Sequence, residues 1–405
     1  MKVQGGIIRC HRHTTIFMFE ITSMKNKSIW LWVLLFSTIA AKAQFPGIGH
    51  STITFNDPSR PGRLITTEIY YPALSNGDEV PVASGPKFPF VIMSHGFLMT
   101  FDAYANIWEE LVPLGYIVVL PTSAGELLPD HEQYARDIAF LSNNFSKLSK
   151  FAGSLFYNRI RNKCAAMGHS MGGGATLLAA SYPNKITTTI TFAAAETSPS
   201  AIAACPSMTA PSLVFATDDD CVTPPAVHQI PMFEALGGPC NTYIEIAGGT
   251  HCQFADYNFT CSLGELFCAS DISRNTQHNL VNTFMVPWLQ RFLKNSTAAY
   301  DSFNDLLLST EGITYVQDCP LRLPADESDE ESLEIYPNPA RDAFQLLAPE
   351  AGYVMVTGID GKTIWEGNHA GNWQTISTAH WSAGMYKVIW VGEQEQSSAT
   401  LLIAD

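Results

Sequence analysis

The sequence predicts an α/β fold, a mostly parallel twisted sheet flanked by helices, with a small β-sandwich at the C-terminal end. Three observations carry that reading. Apolar stretches bounded by turn formers recur at Phe88–Met93, Cys164–Met167, Pro211–Ala216 and Thr242–Ile246, as expected for parallel strands buried on both faces. Residues able to do chemistry follow directly on those stretches, where open α/β sheets place their sites. From Leu333 onward the pattern changes to short alternating runs around an Asp360-Gly361 turn, the signature of antiparallel strands.

The first element to justify is the run Cys164-Ala165-Ala166-Met167, which leads into Gly168-His169-Ser170-Met171-Gly172 and then an Ala/Leu-rich helical stretch. This is a nucleophile elbow, the mark of an α/β-hydrolase. Serine at the apex of a sharp strand-to-helix turn takes strained backbone angles, and small flanking residues let strand and helix approach closely. Its hydroxyl then stands above the sheet over the positive end of a helix. A serine attacks only when a base takes its proton and an acid orients that base. In hydrolase order the acid comes next, and the third strand ends in Thr217-Asp218-Asp219-Asp220. The fourth ends in Ala247-Gly248-Gly249-Thr250-His251, which supplies the base, His251. Three consecutive aspartates leave the acid open, with a solvated turn or a calcium site as the alternative for Asp218 and Asp219. His131, His228 and His278 lack such placement and read as surface or packing residues.

An oxyanion hole needs two backbone N–H donors. Met171, after the serine, is one. The strand Phe88–Met93 runs into Ser94-His95-Gly96-Phe97-Leu98, which makes Phe97 the second, the alternative being a plain tight turn.

The His95-Gly96-Phe97 strand end, the Gly168–Gly173 elbow, the Leu213–Ala216 strand before Asp220 and the Gly248–His251 turn together resemble the bacterial cutinases and polyester hydrolases, including poly(ethylene terephthalate) hydrolases, over Pro46 to Leu293. The resemblance implies an α/β-hydrolase fold without a lid and an open cleft for esters. It favours Asp220, because the family's acid sits a few residues before a proline, here Pro224. It also implies an acyl subsite at Phe97, Leu98, Met171 and Val222. Ser200 stands where the family often carries a tryptophan, a change that removes an aromatic wall. The activity expected is that of a serine carboxylic ester hydrolase acting on polyesters. A small-ester carboxylesterase, or a surface-adhesion protein with a vestigial site, is the alternative. No metal or organic cofactor is expected.

At 405 residues the chain is long enough for a catalytic domain with appendages. A formal net charge of −15 with only 15% charged residues excludes a nucleic-acid binder, which needs clustered Lys and Arg. Residues 1–43 read as a targeting region: Met24-Lys25-Asn26-Lys27 opens it, Ile29 to Ala40 is apolar, and Ala41-Lys42-Ala43 precedes Gln44 as a cleavage site. Met24 is the expected true start, and the apolar run is shorter than the ~20 residues of a membrane anchor. The catalytic domain is expected over 44–322, with a last helix near Asn275–Leu293. An acidic linker follows over 323–332 and the sandwich over 333–405.

Tyr336-Pro337-Asn338-Pro339 and the closing Thr400-Leu401-Leu402-Ile403 resemble the C-terminal sorting domain of the Bacteroidota type IX secretion system. The implied partner is that secretion machinery and the implied location extracellular or at the cell surface, with the chain a monomer. A binding module with Trp365, Trp373 and Trp381 as a stacking platform is the rival. Export makes the eight cysteines after Cys10 disulfide candidates. Because Asp220 and His251 must meet above the sheet, a Cys221–Cys252 bridge is expected, with Cys261–Cys268 closing a short loop and Cys221–Cys240 the alternative.

Overall fold

The computed structural model describes residues 45–319, 333–348, 350–358, 362–392 and 396–404. The targeting region, the acidic linker and the Asp360-Gly361 turn lie outside them.

Strands β1 (Gly47–Asn56), β2 (Leu64–Ala73), β3 (Gly77–Asp78), β4 (Phe88–Ser94), β5 (Ile117–Pro121), β6 (Ile160–His169), β7 (Ile186–Phe192), β8 (Ser212–Thr217), β9 (Asn241–Ile246) and β10 (Ile313–Asp318) form a 10-stranded sheet in the order β10-β9-β8-β7-β6-β4-β5-β2-β1-β3. From β5 to β9 the pairings are parallel, and β1, β2 and β10 add antiparallel edges. Side chains alternate between the faces, so one strand serves two cores. Phe90 and Ile92 of β4, with Cys164 and Ala166 of β6, meet helices α2 (His131–Asn144) and α3 (Met171–Ala179). Val91, Met93, Ala165 and Met167 face α1 (Ala105–Leu111) on the other side, together with α7 (Arg274–Lys294) and α8 (Thr297–Ser309). Burial on both faces is why these strands read as unbroken apolar runs.

Helices α4 (Ala201–Ala204), α5 (Gln229–Ala235) and α6 (Phe259–Gly264) lie in the connections after β7, β8 and β9. The structure extends past the expected last helix: Ser296 caps α8 by accepting from the Ala299 N–H, and β10 then pairs with β9. Among the described residues no helix is long and apolar enough to cross a membrane.

At the C-terminal end, β11 (Glu334–Tyr336), β12 (Ala343–Leu347) and β15 (Gln374–Ser377) form one antiparallel sheet. A second comprises β13 (Ala351–Gly358), β14 (Thr363–Ala370), β16 (Gly384–Val391) and β17 (Gln396–Ile403). Phe344 and Leu346 from the first share a core with Val354, Val388 and Trp390 from the second. Trp365 and Trp381 pack against that core, Trp381 in ring contact with Phe344 and Tyr386, while Trp373 is exposed. The three tryptophans therefore share no common exposed face.

Candidate active site

Strand β6 delivers Ser170 into α3 with φ 55° and ψ −123°, a conformation that costs an L-residue ~1–3 kcal/mol and persists only when its surroundings enforce it. Two glycines do so by close approach. A Cβ on Gly168 would lie 2.2 Å from the Gly172 carbonyl oxygen, and one on Gly172 would lie 2.3 Å from that of Ser94. The Ser170 N–H donates to the Phe192 carbonyl (2.9 Å), and its own carbonyl accepts from the Ala195 N–H (2.8 Å). Ser170 keeps 9% of its surface exposed.

Beyond β8, Asp218 is exposed and its carboxylate accepts from the Gly248 N–H, whereas Asp220 is buried. Asp220 Oδ2 lies 2.8 Å from Nδ1 of the buried His251, and Oδ1 accepts the N–H groups of Val222 (2.8 Å) and Thr223 (2.7 Å). The Thr223 hydroxyl is 2.8 Å from Oδ2 and 3.0 Å from His251 Nδ1. Burial alone raises the Asp220 pKa, but its bond and charge interaction with His251 and the Thr223 donors outweigh it and hold the carboxyl below its ordinary value. An ionised Asp220 fixes the proton of His251 on Nδ1 and leaves Nε2 as the basic nitrogen. Thr223 was not singled out by the sequence, since a threonine three residues past an acid has no spacing signature.

The loop after β4 is tied down from beneath. The His95 N–H donates to the Tyr134 hydroxyl and the Gly96 N–H to the Tyr104 hydroxyl, each at 2.8 Å. Among the described residues nothing accepts from the Phe97 N–H. Met171 begins α3, where the first N–H groups lack an intrahelical acceptor.

Phe97 and Met171 line a cleft of about 360 Å³ together with Leu128, Pro129, His131, Ala195 and Glu196. His131, expected only as a surface or packing residue, thus reaches the cleft wall, and its Nδ1 accepts from the Ser198 N–H. The residues on that wall from the Ala-rich end of β7 are Ala195 and Glu196, whereas Ser200 caps α4 by accepting from the Ala203 N–H. Leu98 and Val222 are not among the lining residues, and Val222 is 38% exposed beside the Asp220 turn.

The expected Cys221–Cys252 bridge is corrected: Cys221 pairs with Cys268, Cys252 with Cys261, and Cys240 with Cys319. This also replaces Cys261–Cys268 and Cys221–Cys240. The aspartate and histidine side chains meet, but the residues after them diverge, and the chain between His251 and α7 supplies a partner to each. Cys164 and Cys205 are buried free thiols. Among the described residues no group of His, Cys, Asp and Glu is arranged to hold a metal ion.

A family model described as PET hydrolase-like matches residues 59–314, most of the chain and all of this site. The chain belongs to the PET hydrolase-like family. The chain is 25% identical over 231 residues to Cutinase 1 of Thermobifida cellulosilytica, covering 56% of this chain and 74% of that protein. It is 25% identical over 231 residues to a cutinase of Thermobifida fusca, covering 56% of this chain and 64% of that one. It is also 26% identical over 238 residues to the bis(hydroxyethyl) terephthalate hydrolase of Streptomyces coelicolor, covering 58% and 64%. A second model, described as a secretion system C-terminal sorting domain, matches residues 334–404. This member of the PET hydrolase-like family is therefore a secreted protein delivered to the cell surface, and the sandwich is its sorting domain rather than a binding module.

Proposed function

We propose that this secreted hydrolase cleaves carboxylic esters, polyesters among them, through an acyl-enzyme on Ser170. Ser170 Oγ attacks the ester carbonyl as His251 Nε2 takes its proton, and the N–H groups of Phe97 and Met171 receive the charge that develops on the carbonyl oxygen. Asp220 holds the imidazole and stabilises the imidazolium. The imidazolium protonates the departing alcohol. Water, deprotonated by the same nitrogen, then releases the acid and restores Ser170. None of these steps calls on a metal or organic cofactor.

The single observation that carries the reading is the 2.8 Å contact of Asp220 Oδ2 with His251 Nδ1, in a chain whose serine sits at a strained elbow. The cleft favours apolar acyl groups, with Phe97, Leu128, Pro129 and Met171 on its walls. Leu128 and Phe97 are 91% and 45% exposed, which suits a polymer segment better than a ligand to be enclosed. The catalytic unit is assigned to 44–322 and the sorting unit to 333–405.

The test pairs clearing of a polyester dispersion with turnover of a short-chain 4-nitrophenyl ester. Both are expected, and both should vanish in Ser170→Ala and His251→Ala. Ester turnover without clearing would reassign the chain to small soluble esters, and turnover surviving in Ser170→Ala would refute the mechanism.

A further inference from the structure

His169, the residue between Gly168 and the elbow serine, is fully buried, and both of its ring nitrogens are engaged. Nε2 lies 3.1 Å from the His251 carbonyl oxygen and Nδ1 lies 3.0 Å from the Tyr104 hydroxyl, which also receives the Gly96 N–H at 2.8 Å. Burial, reinforced by the neighbouring His251, holds the imidazole well below its ordinary range, and burial pushes the Tyr104 phenol up. Both groups are therefore neutral. The direction of every bond follows. A carbonyl only accepts, so Nε2 carries the ring's one proton; Nδ1 is then a lone pair and must accept, and Tyr104 supplies the proton. Met99 Sδ, 3.3 Å from the same hydroxyl, is the weaker acceptor and loses the competition.

We propose that Tyr104 and His169 are positioning residues, which lock the loop bearing the Phe97 N–H to the backbone of His251 through one directed chain: Gly96 N–H to Tyr104, Tyr104 O–H to His169 Nδ1, and His169 Nε2–H to the His251 carbonyl. The inference rests on the roles proposed above for Ser170, His251 and the oxyanion donors. Neither residue touches substrate. Their effect is to hold two loops, after β4 and after β9, in one register while charge moves between them. The β4 loop packs closely against these side chains: a Cβ on Gly96 would lie 3.0 Å from Met99 Sδ and 3.3 Å from His169 Nδ1. The rings of His169 and His251 are 4.7 Å apart, so a shift of one is felt by the other.

The test is the full-length enzyme carrying Tyr104→Phe, His169→Phe, both together, or Met99→Leu, assayed on a soluble 4-nitrophenyl ester with rates normalised to sites titrated by an organophosphonate. Losing a donor from an oxyanion hole costs about 10²–10³ in kcat, and releasing one that is still present should cost less, about tenfold. Tyr104→Phe is therefore expected to lower kcat about tenfold with KM within about twofold, and to cost nothing further in the His169→Phe background. Met99→Leu should keep the parental kcat. A loss that appears in KM, or penalties that multiply in the double variant, would overturn the linkage. If His169→Phe does not fold, Tyr104→Phe against Met99→Leu still decides: equal kcat in the two refutes the proposal. Ser170→Ala run alongside separates the failures, because turnover surviving there refutes the catalytic reading, while its loss beside a fully active Tyr104→Phe refutes only the positioning.

Discussion

Removing the two disulfides that flank the proposed acid and base should destabilise the protein unequally, in an order set by loop length. Cys221–Cys268 spans 47 residues and Cys252–Cys261 spans 9. On the chain-entropy account, deleting the longer link frees about 4 kcal/mol of denatured-state entropy at 25 °C and deleting the shorter about 2.6 kcal/mol. Cys221 follows Asp220 and Cys252 follows His251, yet the carboxylate keeps its bonds to Val222, Thr223 and His251 without either bridge. Stability should therefore fall more than turnover at 25 °C does. The assay is guanidinium unfolding of Cys221→Ala/Cys268→Ala and Cys252→Ala/Cys261→Ala, with initial ester rates on the same samples. The long-loop variant should lose about 1.4 kcal/mol more than the short-loop one, with the slope m rising as the denatured chain expands. Titration of denatured, unreduced enzyme beginning at Gln44 should find only the thiols of Cys164 and Cys205. A short-loop variant that is the less stable of the two refutes the entropic reasoning, and additional thiols refute the connectivity.

Asp220→Ala should lower kcat by several orders of magnitude while Asp218→Ala and Asp219→Ala stay mild; equal damage from Asp219→Ala with the fold intact would reassign the acid. Thr223→Val removes one hydroxyl from a carboxylate that keeps two backbone N–H donors, a charge-assisted bond of about 1.5–3 kcal/mol, and should slow turnover about tenfold or more; wild-type kcat would refute its role. Burial keeps His95 and His169 below the ordinary imidazole range, whereas the unfolded chain protonates them near pH 6.5, so unfolding takes up protons. Stability should then fall as pH drops below about 6.5, by up to about 1.4 kcal/mol per pH unit for each histidine, and urea melts of His169→Gln should show a shallower decline by one such step. Truncation before Leu333 should leave ester turnover intact and abolish surface delivery in the native host, and unimpaired delivery would refute the need for the sorting domain.

What the sequence disclosed about the site are the features enforced by sterics or strand ends. Gly168 and Gly172 are legible because any side chain would strike backbone within about 2.3 Å, so the elbow leaves its spacing in the chain. His251 is legible because it ends a buried strand behind two glycines. Tyr104 is not: a tyrosine at the start of an apolar helix looks the same whether its hydroxyl is idle or receives the Gly96 N–H. The disulfides failed for a related reason. Their pairing depends on the path of residues 255–273, whose short helix and turns have no period to read. Ser200 failed by a shift along an irregular loop, since Ala195 and Glu196, earlier in the chain, are what reach the cleft. Helix α8 was missed although it carried legible cues, the Ser296 cap and Ala299, Tyr300, Phe303 and Leu307 buried at helical spacing.

These misses share a physical cause that also bears on how the site works. The elbow is a property of one strand and one helix, so its geometry is written locally. The proposed acid, base and second oxyanion donor stand on three separate loops, after β8, β9 and β4, and loops take their shape from what they touch. Here the contacts are polar and buried: Tyr134 and Tyr104 under the first loop, Thr223 and Gln229 under Asp220, and Gln277 of α7 accepting the Thr250 N–H and donating to the Thr250 carbonyl beside His251. A buried polar group left without its partner costs about 1–3 kcal/mol, so each such bond penalises displacement more steeply than apolar packing, which tolerates sliding. A cleft as open as the one proposed for a polymer segment has no closing lid to order its groups, and this buried polar underside orders them before substrate arrives.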